Sequence, residues 1–317
     1  MPHVNSGQGA FVRRPLLVSL VSLLLVPLVA SPASAGPRIT TSGSYPPLIA
    51  YSVITHESGG SQPRVLDVRT GHEVVVASSA DKLLEPQAFR GNRVYYTDST
   101  CCTGGHLMSV ASTGGRPAWE NAYGVIIDVS PGQFAELISD SLAGEATQIT
   151  HKRRLDLEQG VEASLGVGAN AHWTLDRKHI VFQRLVNPAY PGSNDGDIAM
   201  FMMNPDGSGV RQLTHGAKGT LDFAGRLSPD DSHLVYSHRT SSGQTASLLV
   251  SASDGSHPRL VTSNGNSPDW SRNGWLVYQK TDSLGHAQLA IRSPGSHPRE
   301  YVLTAAAWGI VPPRFQT

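Results

Sequence analysis

Residues 198–236 carry the stretch that decides the fold: IAMFMM (198–203), NPDGSG (204–209), VRQLT (210–214), SPDDS (228–232) and HLVY (233–236). The apolar runs have the length of β-strands, and Gly, Pro, Asn and Asp fill the gaps between them. These residue types favour tight turns, because Gly adopts positive φ at little cost and Pro presets φ. The stretch therefore predicts consecutive strands joined by short turns.

The same pattern recurs along the chain, and the residue at the Tyr236 position marks each copy. The equivalent residues are Tyr51, Tyr96, Ile138, Phe182, Tyr236 and Tyr278, with successive spacings of 45, 42, 44, 54 and 42 residues. A period of roughly 40–50 residues with four strands per unit is the signature of a propeller blade. We therefore expect an all-β protein, a six-bladed β-propeller with four-stranded antiparallel blades. In the irregular third copy, the outer strand is expected at residues 154–158.

The C-terminus is expected to close the ring of blades. The spacing between inner strand and marker in other copies would place the first inner strand near residues 42–43. Ser and Gly occupy these positions, and they cannot form a packed inner strand. Residues 305–310 have the missing apolar character, and Trp308 is the expected inner-strand residue. Closure by a C-terminal strand would also remove exposed sheet edges.

The first 35 residues do not fit the repeat and are typical of a secretory signal peptide. Arg13 and Arg14 precede an apolar run at 15–30, and Ala33 and Ala35 are small residues at the cleavage position. That run is shorter than the ~20 residues needed to span a bilayer, which favours a cleaved signal peptide. A permanent membrane anchor is the alternative. The expected organisation is a signal peptide at 1–35, a flexible lead-in at 36–47 and a propeller domain at 48–317, in a secreted or cell-envelope protein.

The charge balance narrows the class of partner. The chain has 25 basic and 25 acidic residues, and loss of the two signal-peptide arginines leaves a net charge of −2. A charge so close to zero offers no electrostatic reason to bind nucleic acid or an anionic membrane. We expect no nucleic-acid partner and no membrane insertion after signal removal.

Several signatures of this chain resemble the repeat of TolB-like six-bladed β-propellers. They are NPDGS (204–208) with RQLT (211–214), SPD (228–230), WTLDRKHIVF (173–182) and SPDWSRNG (267–274). Thr174 and Leu175 stand where Ser and Pro are usual in that family. Its members include periplasmic scaffold proteins, propeller domains that precede peptidases, and some polysaccharide lyases. The resemblance therefore implies the fold and leaves the function open.

Cys101 and Cys102 are adjacent and are the only cysteines of the chain. Thiols of an exported protein meet oxidising conditions, so we expect a vicinal disulfide that closes a strained ring and stiffens its loop. Intermolecular pairing and two inert thiols are the alternatives. No second cysteine pair exists to build a cysteine zinc site.

Candidate ligand-binding residues lie where the chain enters the predicted inner strands. Such connections converge on the channel mouth, where propellers generally bind. The candidates are His172, His215, Asp222, Arg226, Asp269 and Glu85. The simpler interpretation is that these side chains satisfy backbone groups or face water.

Catalytic signatures are absent from the sequence: it contains no Gly-x-Ser-x-Gly, no His-Glu-x-x-His and no phosphate-binding loop. The sequence therefore favours a secreted, noncatalytic propeller that binds a peptide, protein or glycan at the channel mouth, with no catalytic residue, metal or cofactor. The alternative is a polysaccharide lyase or glycosidase that uses His172, His215 or neighbouring carboxylates with a divalent metal. A purely structural part of an envelope assembly is a third hypothesis.

Overall fold

The computed structural model of the chain describes residues 48–55, 60–99, 105–124, 126–129, 135–140, 148–153, 163–188, 196–240, 242–243, 245–304 and 310–316. The predicted signal peptide and lead-in lie outside these ranges, as do Cys101, Cys102 and Trp308. The expectations for those residues stay predictions. In the part of the chain that the structure describes, no helix is long and apolar enough to cross a membrane.

The described residues form 24 strands, which divide into six units of four, and neighbouring strands within a unit pair antiparallel. The first unit contains β24 (Ile310–Phe315), β1 (Ile49–Ile54), β2 (Ser61–Asp67) and β3 (His72–Val75). The second contains β4 (Leu83–Arg90), β5 (Arg93–Ser99), β6 (Gly105–Ala111) and β7 (Ala118–Gly124). The third contains β8 (Ile126–Val129), β9 (Ala135–Asp140), β10 (Gln148–Arg153) and β11 (Ala163–Val167).

The remaining three units have the same four-strand order, but the fourth and fifth share one eight-stranded sheet, in which Ile198 pairs in parallel with Leu221. The fourth contains β12 (Ala169–Trp173), β13 (Ile180–Pro188), β14 (Gly196–Met203) and β15 (Arg211–Gln212). The fifth contains β16 (Thr220–Leu227), β17 (His233–Thr240), β18 (Ser247–Ala252) and β19 (Arg259–Thr262). The sixth contains β20 (Gly265–Trp270), β21 (Leu276–Thr281), β22 (Ala287–Arg292) and β23 (Glu300–Val302).

The repeat marker of the sequence lies on the second strand of every unit. The six markers fall on β1, β5, β9, β13, β17 and β21. Tyr51 and Tyr278 are fully buried, and their hydroxyl groups donate hydrogen bonds to Glu73 and Glu300. The expected repeat of four antiparallel strands is therefore confirmed.

The third unit differs from the expectation in its outer strand. Residues 163–167 form β11, whereas residues 154–158 lie outside the described residues. The segment ASLGV contains one β-branched residue, so its own composition scarcely predicts a strand. Its pairing with β10 places it in the sheet, for example at Thr150 opposite Ser164.

The C-terminus pairs with β1, but five residues later than expected. The pairing strand is β24 at 310–315, and Phe315 lies opposite Ile49. Its ring is fully buried. The prolines at 312–313 concealed this strand in the sequence. They lie at a register shift, where the missing N–H groups do not interrupt the ladder.

The first strands of the units pack against one another. These first strands are β24, β4, β8, β12, β16 and β20. Each contacts the next in this order, and β20 contacts β24. Every first strand contains a register shift. At the shifts of β12, β16 and β20, Asn170, Ala224 and Ser267 adopt positive φ of 54°, 53° and 51°. Such bulges redirect the side chains that follow them.

A repeated hydroxyl residue fixes the turn between the first and second strands of a unit. Ser228 Oγ donates to Asp230 at 2.6 Å and accepts from the N–H of His233 at 2.9 Å. Thr174 and Ser271 make the equivalent bonds in the fourth and sixth units. In all three turns, the residue after the side chain that accepts from the hydroxyl group has a positive φ. These residues are Arg177, Asp231 and Gly274.

Candidate functional site

One polar side chain from each first strand lines a small cavity between the units. The six are Gln87, Asp128, His172, Arg226, Asp269 and Arg314, and Arg90 of β4 joins them. The cavity has a volume of about 30 Å³. That space holds one or two water-sized groups and no whole ligand.

Asp128 is the best-paired carboxylate of this cavity. Its Oδ1 lies 3.0 Å from Arg90 Nη2, and its Oδ2 accepts from the N–H of Trp173 at 3.0 Å. Burial alone would raise the pKa of Asp128, but Arg90 and His172 outweigh burial and lower it to about 2. The side chain therefore stays ionised and connects the second, third and fourth units.

Asp269 connects the sixth unit to the first and lies near Arg226 of the fifth. Its Oδ2 accepts from the N–H of Phe315 at 2.8 Å, and its Oδ1 lies 3.7 Å from Arg226 Nε. Arg314 Nε donates to the carbonyl of Gln87 at 3.0 Å. Ala224 N–H donates to Gln183 at 3.2 Å and links the fifth unit to the fourth. Polar contacts thus accompany the packing of first strand against first strand.

His172 is a buried neutral base in this setting. Its Nδ1 lies 3.6 Å from Asp128 Oδ2. Burial and the nearby Arg226 charge lower the pKa of His172 well below its usual value, although Asp128 opposes them. The imidazole is therefore uncharged at neutral pH.

The cavity carries more positive than negative charge. Three guanidinium groups line it, from Arg90, Arg226 and Arg314, against the two carboxylates of Asp128 and Asp269. Burial, followed by repulsion from Arg314, lowers the pKa of Arg226 to about 9. An incoming anionic group would relieve that repulsion.

Three of the six predicted site residues meet at this cavity. His172, Arg226 and Asp269 line it, but they lie within strands and are largely buried, whereas the sequence placed them on exposed connections. The bulges explain the difference, because they turn polar side chains inward where strict alternation would not.

The other three predicted residues lie elsewhere. Asp222 is buried on β16, 2.6 Å from His238 Nδ1, and does not line the cavity. Glu85 is half-buried on β4, and burial raises its pKa against the opposing charge of Arg314. His215 is exposed between β15 and β16.

Sequence reasoning missed Gln87, Arg90, Asp128 and Arg314. A signal existed for two of them. In five first strands the cavity residue directly precedes an apolar residue larger than Ala, as in His172-Trp173 and Asp269-Trp270. Asp128 precedes Val129 and Arg314 precedes Phe315 in the same way, so this pattern could have identified both residues.

A larger groove of about 850 Å³ lies between the fifth and sixth units. Arg259, Arg272 and Arg292 line it together with the exposed Leu260. Trp270 lines both this groove and the small cavity. The groove is therefore a second concave surface of basic character.

No family model and no curated protein sequence matches the chain. Among solved structures it is similar to TolB from Acinetobacter baumannii, at 17% identity over 87% of this chain and 68% of that chain, with a TM-score of 0.69. It is also similar to a putative TolB from Agrobacterium tumefaciens, at 15% identity over 82% and 89% of the two chains, with a TM-score of 0.57.

A chain of a nidogen/laminin complex is similar at 10% identity, over 85% of this chain and 98% of that chain, with a TM-score of 0.53. At these identities the likeness shows the fold alone. The chain therefore has the TolB-like β-propeller fold.

Proposed function

We propose that this chain is a noncatalytic, six-bladed binding propeller that takes one carboxylate of a protein or peptide partner into its channel mouth. The observation that carries the proposal is the small cavity at which three guanidinium groups face two carboxylates. The rest of the partner would lie on the surface around the mouth, because about 30 Å³ admits no more than a single small group.

The six-bladed ring is part of the proposal. Six units of four strands follow one another, and each first strand packs against the next. Pairing of β24 with β1 places the C-terminus in the same sheet as the first described strand. A ring closed in this way accounts for the convergence of six polar side chains on one cavity.

The charges favour an anionic group as the ligand. Arg226 and Arg314 repel each other in a buried setting, and an added carboxylate would offset both charges. Glu85 does not line the cavity, but it lies close enough to Arg314 for the two charges to interact, and burial raises its pKa. Similarity to TolB and to a chain of a nidogen/laminin complex supports a protein partner.

The test is a binding screen of the labelled protein against an array of peptides that carry Asp, Glu or a free C-terminal carboxylate. A second array carries uronate oligosaccharides. We expect peptide hits whose affinity falls about tenfold or more in Arg226→Gln, since buried charge-assisted bonds are worth several kcal/mol. Glu85→Gln should preserve binding, because Glu85 does not line the cavity. Circular dichroism and the Tm of each variant check that it folds.

Arg272→Ala is the matched control, because Arg272 lines the larger groove and not the cavity. Loss of binding in Arg272→Ala with full binding in Arg226→Gln would move the site to the groove and overturn the proposal. Selective binding of uronates would replace the protein partner with a glycan.

A polysaccharide lyase or glycosidase is the alternative from the sequence. His172 lines the cavity, whereas His215 is exposed outside it, so the two do not share a site. Metal-dependent turnover of an acidic polysaccharide, lost in His172→Ala, would establish the enzyme instead.

We also propose that the chain is exported and begins at Gly36 after cleavage. The support is the order of charged, apolar and small residues at the N-terminus. The mass of protein from the culture medium tests this, and retention of residues 15–30 would indicate an anchored protein.

A further inference from the structure

Two turns on neighbouring units bring three metal-ligating side chains together. Asp176 lies in the turn between β12 and β13, His179 ends that turn, and Asp231 lies in the turn between β16 and β17. Their ligand atoms all lie within 4.8 Å of one another. The three residues do not line the small cavity or the larger groove.

Asp231 differs from its equivalents in the repeat. Asp230, and not Asp231, takes the bonds that fix the fifth-unit turn, from Ser228 Oγ at 2.6 Å and Ser232 Oγ at 2.7 Å. Arg177 and Gly274 hold the equivalent left-handed position in the fourth and sixth units. An acidic residue there is not required by the turn, and its carboxylate faces the neighbouring unit.

The other two ligands are positioned for a cation. Asp176 Oδ1 accepts from Thr174 Oγ1 at 2.7 Å and from the N–H of Lys178 at 2.9 Å, which orients the carboxylate and leaves the exposed ammonium group of Lys178 as the partner of Oδ2. His179 Nδ1 is buried and has no hydrogen-bond partner among the described residues. An unpaired buried nitrogen costs free energy that a bound ligand recovers.

Lys178 is the competing internal cation. Its Nζ lies 3.0 Å from Asp176 Oδ2, but its side chain is 75% exposed. Exposed ion pairs of this kind contribute little to stability, so a divalent ion can displace the ammonium group.

We propose that Asp176, His179 and Asp231 form a binding site for a divalent transition-metal ion, represented by Zn²⁺, that joins the fourth and fifth units. Two carboxylate oxygens and one imidazole nitrogen are ligands that Zn²⁺ accepts, and the imidazole disfavours Mg²⁺. The ion neutralises two carboxylates held close together. Three protein ligands leave one position of a tetrahedral ion for water.

The test is equilibrium dialysis and calorimetry with Zn²⁺ on the purified protein, prepared without a polyhistidine tag. We expect one tightly bound Zn²⁺ per chain. Asp231→Asn and His179→Ala should each weaken that binding by at least roughly tenfold. Zinc at a hundredfold excess over its Kd should raise the Tm by roughly 5 °C in the wild type and not in these variants. Lys178→Met should tighten binding, because it removes the competing cation.

His233→Ala is the matched control, since His233 ends the fifth-unit turn as His179 ends the fourth and is paired with Ser232. It should bind Zn²⁺ as the wild type does. Equal loss in His233→Ala, unchanged binding in Asp231→Asn, no saturable site, or equal affinity for Mg²⁺ would each overturn the proposal.

Discussion

At the scale of single residues, His172 is the side chain whose environment most changes its chemistry. It is buried among Asp128, Arg226 and Arg314, and its pKa is lowered well below its usual value. The unfolded chain therefore binds a proton at a pH where the folded chain does not. Stability contributed by the neutral imidazole is present above about pH 6.5 and is lost as the pH falls below that value.

We predict that the free energy of unfolding falls by up to about 1.4 kcal/mol per pH unit below pH 6.5 on account of His172. Asp128, with its pKa lowered to about 2, adds a further loss only as the pH falls below about 3.8. Urea unfolding between pH 7.5 and 4.5 measures the effect. His172→Gln should flatten this slope, whereas the exposed His297→Gln should leave it unchanged.

An equal slope in His172→Gln and the wild type would show that the imidazole is not held neutral by its surroundings. The cavity would then have to accommodate a charged His172, and its excess of positive charge would be larger than the described contacts suggest.

At the scale of elements, two glycine turns bring the fourth and fifth units against the units that precede them. Gly255 follows β18 at φ +84°, and a Cβ there would lie 1.7 Å from the carbonyl oxygen of Leu213 in the fourth unit. Gly207 follows β14 at the same φ, but its Cβ would lie 3.1 Å from the carbonyl oxygen of Leu165. The two glycines occupy equivalent turns and differ in how closely they approach the neighbouring backbone.

We predict that Gly207→Ala costs about 1–2 kcal/mol, the penalty of a left-handed alanine. Gly255→Ala should cost more, roughly 3 kcal/mol or above, because one of the two backbones must also move. Chemical denaturation of both variants gives the comparison. Equal losses would mean that the fifth-unit turn does not press on Leu213.

At the scale of the whole molecule, the C-terminal strand connects the last unit to the first. Phe315 and Ile310 are buried with Ile49 and Tyr51 in the core shared by the first and sixth units. Gln316 N–H donates to the carbonyl of Leu48 at 2.9 Å, so the two ends of the described chain lie side by side.

We predict that deletion of residues 310–317 lowers stability by several kcal/mol, since replacing one buried Phe by Ala already costs about 3–5 kcal/mol. Differential scanning calorimetry measures the loss. Deletion of Thr317 alone is the control and should leave the Tm unchanged. A Tm equal to that of the full chain after the longer deletion would contradict closure by β24.

The sequence by itself determined the strands and their grouping in fours. Alternating apolar residues and turns rich in Gly, Asn and Asp express the preferences of a few neighbouring residues. They can therefore be recognised from the sequence alone. The same reasoning placed β24 five residues early and missed β11, because pairing with β1 and β10 decides those strands more than their own composition does.

Only the tertiary structure decided which polar side chains meet. Asp128 accepts a hydrogen bond from the N–H of Trp173, 45 residues later in the sequence. Asp269 accepts one from the N–H of Phe315, 46 residues later. Bulges in the first strands turn these carboxylates inward, and the packing of unit on unit sets Asp231 beside Asp176 and His179. Contacts of that kind depend on distances between units that lie far apart in the sequence, which local residue preferences do not encode.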